Sequence, residues 1–117
     1  MQAAKEKNDL EDRTFRFAQD VRLFIRDLPR TISTIEDMSQ LVRSSGSVGA
    51  NYIEAQEALS RKDFGMRIKI CRKEAKESKY WLDLLTGFSD AIEIERKRLA
   101  QESTELLKIF NAIVQKL

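Results

Sequence analysis

A chain of 117 residues suits a single domain, and 42% apolar with 34% charged residues, four glycines and one proline argue against disorder, sandwiches and barrels. The formal charge of +2 hides an uneven distribution. Ser60 to Tyr80 holds eight Lys/Arg against three acids, a local +5, while the segments before and after it carry −2 and −1.

Residues 1–11, MQAAKEKNDLE, lack a sustained apolar period and are expected to form a flexible N-terminal extension, with residues 12–117 as one bundle domain. Ala3, Ala4 and Leu10 are the residues there able to lengthen the first helix. That helix is expected from about Asp12 to Leu28, with Phe17, Ala18, Val21, Phe24, Ile25 and Leu28 inward and Pro29 ending it.

A second helix opens near Thr31 or Ser33, where Ser33 and Glu36 have capping-box spacing, and runs to about Ala58. Its inward spacing is Ile35, Met38, Val42, Ser45, Gly49, Tyr52 and Leu59. The middle, Ser44-Ser45-Gly46-Ser47-Val48-Gly49-Ala50, has six small residues in seven, and each Gly costs about 1 kcal/mol relative to Ala. Either the helix kinks or breaks there, or the small side chains let another helix approach closely; the two are compatible.

Ser60-Arg61-Lys62-Asp63 has the S-x-x-D spacing of a capped helix start, so the third helix runs from Arg61 to Leu85. Phe64, Ile68, Cys71, Ala75, Ser78, Leu82 and Leu85 form its inward seam. Beside that seam Lys62, Lys69, Arg72, Lys76 and Lys79, three to seven apart, make a basic stripe that faces water, with Arg61 and Lys73 at its margins. Met66, Ile70, Trp81 and Leu84 lie off the seam and point to contacts on a second side. Thr86 to Asp90 is a turn, and the fourth helix runs from about Glu93 to Leu117 with Leu99, Ser103, Leu106, Phe110, Ile113 and Leu117 inward. The fold class is all-α, an antiparallel up-down-up-down four-helix bundle.

The absence of histidine removes di-iron Glu-x-x-His sites, Arg-x-His nucleases and Ser/His or Cys/His nucleophiles. Gly46 and Gly49 are followed by no Gly-Lys-Ser/Thr, so no phosphate-cradling loop is present. The protein is expected not to be an enzyme and to use no cofactor or metal. Glu54, Glu57, Glu74 and Glu77 are expected to pair with Arg43, Lys73 or Arg72 rather than hold an ion. The single cysteine, Cys71, admits neither an internal disulfide nor a Cys-pair zinc site, and reads as a small buried hydrophobe. Tyr80-Trp81 reads as core or subunit interface ahead of a base-stacking platform. With no signal-like start and no apolar run near the ~20 residues that span a bilayer, the expected place is the cytoplasm, without a membrane partner.

Several stretches together carry a family resemblance: Gln40-Leu41-Val42-Arg43, Ser47-Val48-Gly49-Ala50-Asn51, Glu54, and Ser60-Arg61-Lys62-Asp63-Phe64. Lys73-Glu74-Ala75-Lys76-Glu77, Tyr80-Trp81-Leu82 and Thr86-Gly87-Phe88 extend it, so that it covers about Phe15 to Leu117. The chain resembles the bacterial four-helix bundle family first noticed as proteins encoded by intervening sequences inside 23S ribosomal RNA genes. Two departures stand out: the family often has Pro where Gly49 stands, and Gly where Ala55 and Glu57 stand. The second helix is therefore expected to be straighter and to run later. The resemblance implies a ring-shaped homopentamer and no reaction. A related branch, the accessory variability determinants of diversity-generating retroelements, implies a basic pentamer that binds a reverse transcriptase and nucleic acid.

The expected function is thus a non-enzymatic oligomeric bundle that engages RNA, DNA or a nucleic-acid enzyme through Lys62, Lys69, Arg72, Lys76 and Lys79. The expected oligomer contacts are Gly46, Gly49, Ala50, Met66, Ile70, Trp81 and Leu84. The alternative is a structural or protein-binding bundle whose lysines pair with Glu74, Glu77 and Asp83.

Overall fold

The structure, a computed structural model, describes residues 9–117, which form four helices joined by short turns. They are α1 (Asp9–Ile25), α2 (Ile32–Gln56), α3 (Arg61–Leu84) and α4 (Asp90–Gln115). Asp9, Leu10 and Glu11, expected in the extension, are the opening of α1, where Asp9, Glu11 and Asp12 place negative charge against the helix dipole. The rest of that expected extension, residues 1–8, lies outside the described residues.

The boundaries follow local chemistry. Beyond Ile25 the chain turns and reaches Pro29, which has no N–H to continue a helix. Arg30 Nη1 donates to the carbonyls of Leu28 and Arg26 at 2.9 and 3.3 Å, covering the end of this turn. The α2 cap is Thr31, not Ser33. Thr34 N donates to Thr31 Oγ1 at 3.2 Å and Thr31 N donates to Thr34 Oγ1 at 2.8 Å, so a threonine fills the role expected of Glu36. Ser60 accepts from Asp63 N at 3.0 Å and starts α3 as the spacing predicts. Ser89 accepts from Ile92 N at 3.4 Å and starts α4 at Asp90, three residues ahead of the expected Glu93. The turn before it uses Gly87 at φ +91°, a conformation that costs glycine little.

Each helix packs against its neighbours in sequence, and α1 closes the ring on α4, the antiparallel bundle expected. The α1–α4 closure is tied by charge. Arg13 donates to both Glu102 carboxylate oxygens at 2.8 and 2.9 Å, and Arg98 donates to Asp20 at 3.0 Å.

The α3 seam is as expected: Ile68, Cys71, Ala75, Ser78, Leu82 and Leu85 are buried, and Phe64 packs on the core from its edge. On α2 the inward face is broader than expected: Met38, Ser45 and Tyr52 are inward as the spacing predicts, and Leu41, Ser44, Val48 and Ala55 join them. Ile35 and Leu59 are instead exposed and Val42 only half-buried. The helix serves two neighbours, and the row through Leu41, Ser44 and Val48 meets α3 while Gly46 and Gly49 meet α1. Leu117, expected on the α4 seam, is instead exposed and sits over Gly65.

The small-residue stretch is continuous helix, so the break into two helices is absent, and the small side chains permit close approach. A Cβ built on Gly49 would stand 2.9 Å from Thr14 Oγ1, a buried side chain of α1 whose hydroxyl donates to the Glu11 carbonyl at 2.9 Å. A Cβ on Gly46 would stand 3.3 Å from an Arg22 guanidinium nitrogen. On the other flank Ser44 and Ser78 hydroxyls meet at 3.0 Å between α2 and α3.

Candidate nucleic-acid interface

In α3, Lys69, Arg72, Lys73 and Lys76 stand at i, i+3, i+4 and i+7, which sets all four on one face of a 3.6-residue helix. The antiparallel neighbour α4 adds Lys108 and Asn111 to the same groove, with Leu107 as apolar wall. The groove, about 590 Å³, therefore gathers five cations, and no carboxylate lines it. Arg72 Nη1 donates to Asn111 Oδ1 at 3.0 Å, so the guanidinium is held by a neutral acceptor and keeps its full charge.

The expected stripe divides under this geometry. Lys62, Lys69 and Lys76 form no ion pair among the described residues and are exposed. Lys79 is half-exposed but committed: its Nζ donates to Asp83 at 2.7 Å, and Arg96 stands 3.7 Å from the same carboxylate. Lys73 and Lys108 lie 3.8 Å from Glu77 and Glu105, loose contacts across exposed side chains that are worth little in water. The intrahelical pairing thus takes Lys79 out and leaves Lys69, Arg72 and Lys76 available. Lys62 belongs to a second pocket at the start of α3, which reaches Lys69.

Lys108 and Asn111 were missed in the sequence because nothing local marks them. They join Lys69, Arg72 and Lys76 in one groove only when α4 packs antiparallel beside α3. Of the carboxylates considered as ligands, Glu77 pairs loosely with Lys73 as expected. Burial, and then the Glu77 charge, raises Glu74 above the ordinary carboxyl range. Among the described residues no three of the Asp, Glu and Cys side chains gather as a metal site. Burial pushes the Cys71 thiol up to about 12, so it remains protonated and unreactive at neutral pH.

Gly46 and Gly49, two of the expected oligomer contacts, face α1 of their own chain. They also line an outer α1–α2 groove, together with the exposed Ala50 and with Glu11, Asp12, Phe15 and Ile53. Met66 and Leu84 are about half exposed, while Ile70 is partly buried and Trp81 packs against the core with its indole N–H unpartnered. Tyr80 crosses Trp81 edge to face at 5.0 Å, which uses the pair within the fold. No helix among the described residues is long and apolar enough to cross a membrane.

The fold has a solved counterpart in a protein of unknown function from the S23 ribosomal protein family of Bacteroides thetaiotaomicron. It is 31% identical, with a TM-score of 0.73 over 89% of this chain and 96% of that one. A comparison with curated proteins finds no match. The sequence profile of the 23S rRNA-intervening sequence proteins matches residues 6–112, within which lie both flanks of the cationic groove. The chain belongs to the 23S rRNA-intervening sequence protein family.

Proposed function

We propose that the protein is a non-enzymatic bundle that binds RNA or DNA through the α3–α4 groove. The observation that carries this reading is the gathering of Lys69, Arg72, Lys73, Lys76 and Lys108 around one groove without a lining carboxylate. Five like charges repel one another, and a phosphate backbone relieves that repulsion while releasing its own counterions. Arg72 and Asn111, the groove side chains able to pair with a base edge in bidentate fashion, are bonded to each other at 3.0 Å, so binding is sequence-tolerant. The resemblance adds a nucleic-acid enzyme such as a reverse transcriptase as a class of partner that shares the bound strand.

The test is a titration of the wild type and a Lys69→Glu, Arg72→Glu, Lys76→Glu variant against mixed-sequence RNA and DNA at two salt concentrations. Wild-type affinity is expected to fall steeply with salt, by a slope of about −0.7 per neutralised phosphate on single strands and about −0.9 on duplex DNA. Equal, salt-insensitive binding by both proteins, or none by either, would turn the reading to the structural or protein-binding bundle.

Self-association is supported by a different observation. Phe15, Ala50 and Ile53 line the outer α1–α2 groove, and Ile25, Ile35 and Val42 line a separate shallow pocket nearer the other end of the two helices. Phe15 is 60% exposed and Ile35 52%, apolar surface that water disfavours and a second copy of the chain would cover. We place the oligomer contact there, with Leu84 as a secondary contact, and by resemblance the assembly is a homopentamer. Light scattering on a sizing column at micromolar concentration checks it, and the mass of one chain refutes it. In such a ring the cationic groove recurs on every copy, so a strand long enough to reach two grooves gains avidity.

A further inference from the structure

At the start of α3 a pocket of about 700 Å³ opens beside the cationic groove. Its apolar part is Gly65, Met66 and Leu117, and its rim is Arg61, Lys62 and Lys69. Met66 is 51% exposed and Leu117 44%, so this apolar surface is not part of the core. Gly65 makes the seat for Leu117: a Cβ there would stand 3.0 Å from Leu117 Cδ1. Lys69 lines both this pocket and the groove, so the two are continuous along one helix face.

Their chemistries differ in a way that sorts the parts of a nucleotide. The groove has cations and no lining carboxylate, which suits phosphates. The pocket has an apolar wall and one carboxylate, Asp63, held at the first turn of α3 where the helix dipole favours its charge. A carboxylate repels phosphate but accepts an N–H from the exocyclic amine of a base. A thioether and a leucine side chain offer a base the apolar contact that its faces seek, and sulfur contacts with aromatic rings are favourable.

We propose that this pocket is a base-binding subsite, and that the strand bound by the α3–α4 groove is single-stranded. This rests on the nucleic-acid reading of the groove. Bases in a duplex are stacked and paired, with their faces covered, so only an unpaired strand delivers a base to the pocket while its phosphates follow Lys69, Arg72, Lys76 and Lys108. The bound form is a base over Met66 and Leu117, a phosphate near Lys69, and the next phosphates towards Lys76.

Three probes of one mixed sequence test this: a 20-nucleotide single strand, its blunt duplex, and an abasic strand with the same phosphates. Each is titrated against the wild type and against Met66→Ser and Leu117→Ser, exposed positions at which folding is checked by helicity and thermal midpoint. The wild type is expected to bind the intact single strand about five- to tenfold more tightly than the abasic strand, and more tightly than the duplex. Each variant is expected to lose that margin while its abasic affinity and salt slope stay unchanged. Equal affinity for intact and abasic strands, or a preference for the duplex, overturns the base subsite and leaves the cationic groove standing. A fall in oligomer mass in either variant overturns it in favour of a contact between copies. Binding of none of the three probes by the wild type overturns both the subsite and the nucleic-acid reading.

Discussion

The two outer grooves of this bundle are built from opposite materials. Between α3 and α4 the surface is cationic, with long Lys and Arg side chains that keep their charges in water. Between α1 and α2 it is mainly apolar with Glu11 and Asp12 at one end and no cation lining it, and the helices approach so closely that Gly49 has no room for a methyl group beside Thr14. A surface of mutually repelling charges is matched by an anionic polymer, and a strip of exposed Phe and Ile by apolar surface. Under the proposed function, this contrast gives the two sides of one small domain different partners.

The largest expected effect concerns the cationic side. The Lys69→Glu, Arg72→Glu, Lys76→Glu variant should lose about a hundredfold in affinity for mixed-sequence nucleic acid at moderate salt, with helicity unchanged, since three favourable phosphate contacts become repulsive. Lys79→Ala should change affinity far less, because its charge is already taken by Asp83; fluorescence anisotropy on the two variants separates these outcomes. On the apolar side, Phe15→Asp with Ile53→Asp should reduce the solution mass to a smaller species by light scattering and leave each chain folded. Retention of the full mass would break the assignment of partners to sides.

The close α1–α2 approach predicts a smaller but more local pair of effects. Gly49→Val should destabilise the fold by about 2 kcal/mol, because the added atoms meet the buried Thr14 side chain, and Thr14→Ala should restore part of the loss. Gly46→Ala should do the reverse and stabilise by about 0.5–1 kcal/mol, since its neighbour is the far end of the flexible Arg22 side chain and the helix gains alanine propensity. Chemical denaturation of the single and double variants reads both signs.

The smallest effect is acid sensitivity at the ion pairs of α4, outside both grooves. Hydrogen bonds from Arg96 and Arg98 hold Glu93 and Glu95 below the usual carboxylate range. The native state therefore binds their protons less readily than the unfolded chain. The stability they add is present above the ordinary carboxyl value and is lost as pH falls through the folded values. Glu74 is shifted the other way by burial, so its contribution rises as pH falls. Thermal midpoints of the wild type and a Glu93→Gln, Glu95→Gln variant should converge as pH falls below the ordinary carboxyl value.

Much of the bundle is legible in the chain because the signals are local. Ser60 and Asp63 are three residues apart and cap α3 wherever the rest of the protein lies, and the α3 seam from Ile68 to Leu85 is set by helical periodicity. The basic stripe was legible for the same reason. Its effective composition was not. The 2.7 Å pair of Lys79 with Asp83 is a matter of side-chain geometry, and Lys108 meets the cations of α3 from more than thirty residues away in the chain.

The sequence by itself determined four helices, the cap of α3 and the position of the positive charge, since each depends on residues within a turn or two of one another. The tertiary structure alone decided how broad the inward face of α2 is, that Gly46 and Gly49 serve α1 of the same chain, and that Asn111 holds Arg72. A helix with apolar or small residues over much of its circumference has several plausible inward faces. Only the placement of its neighbours, which depends on the summed packing of the whole core, selects among them.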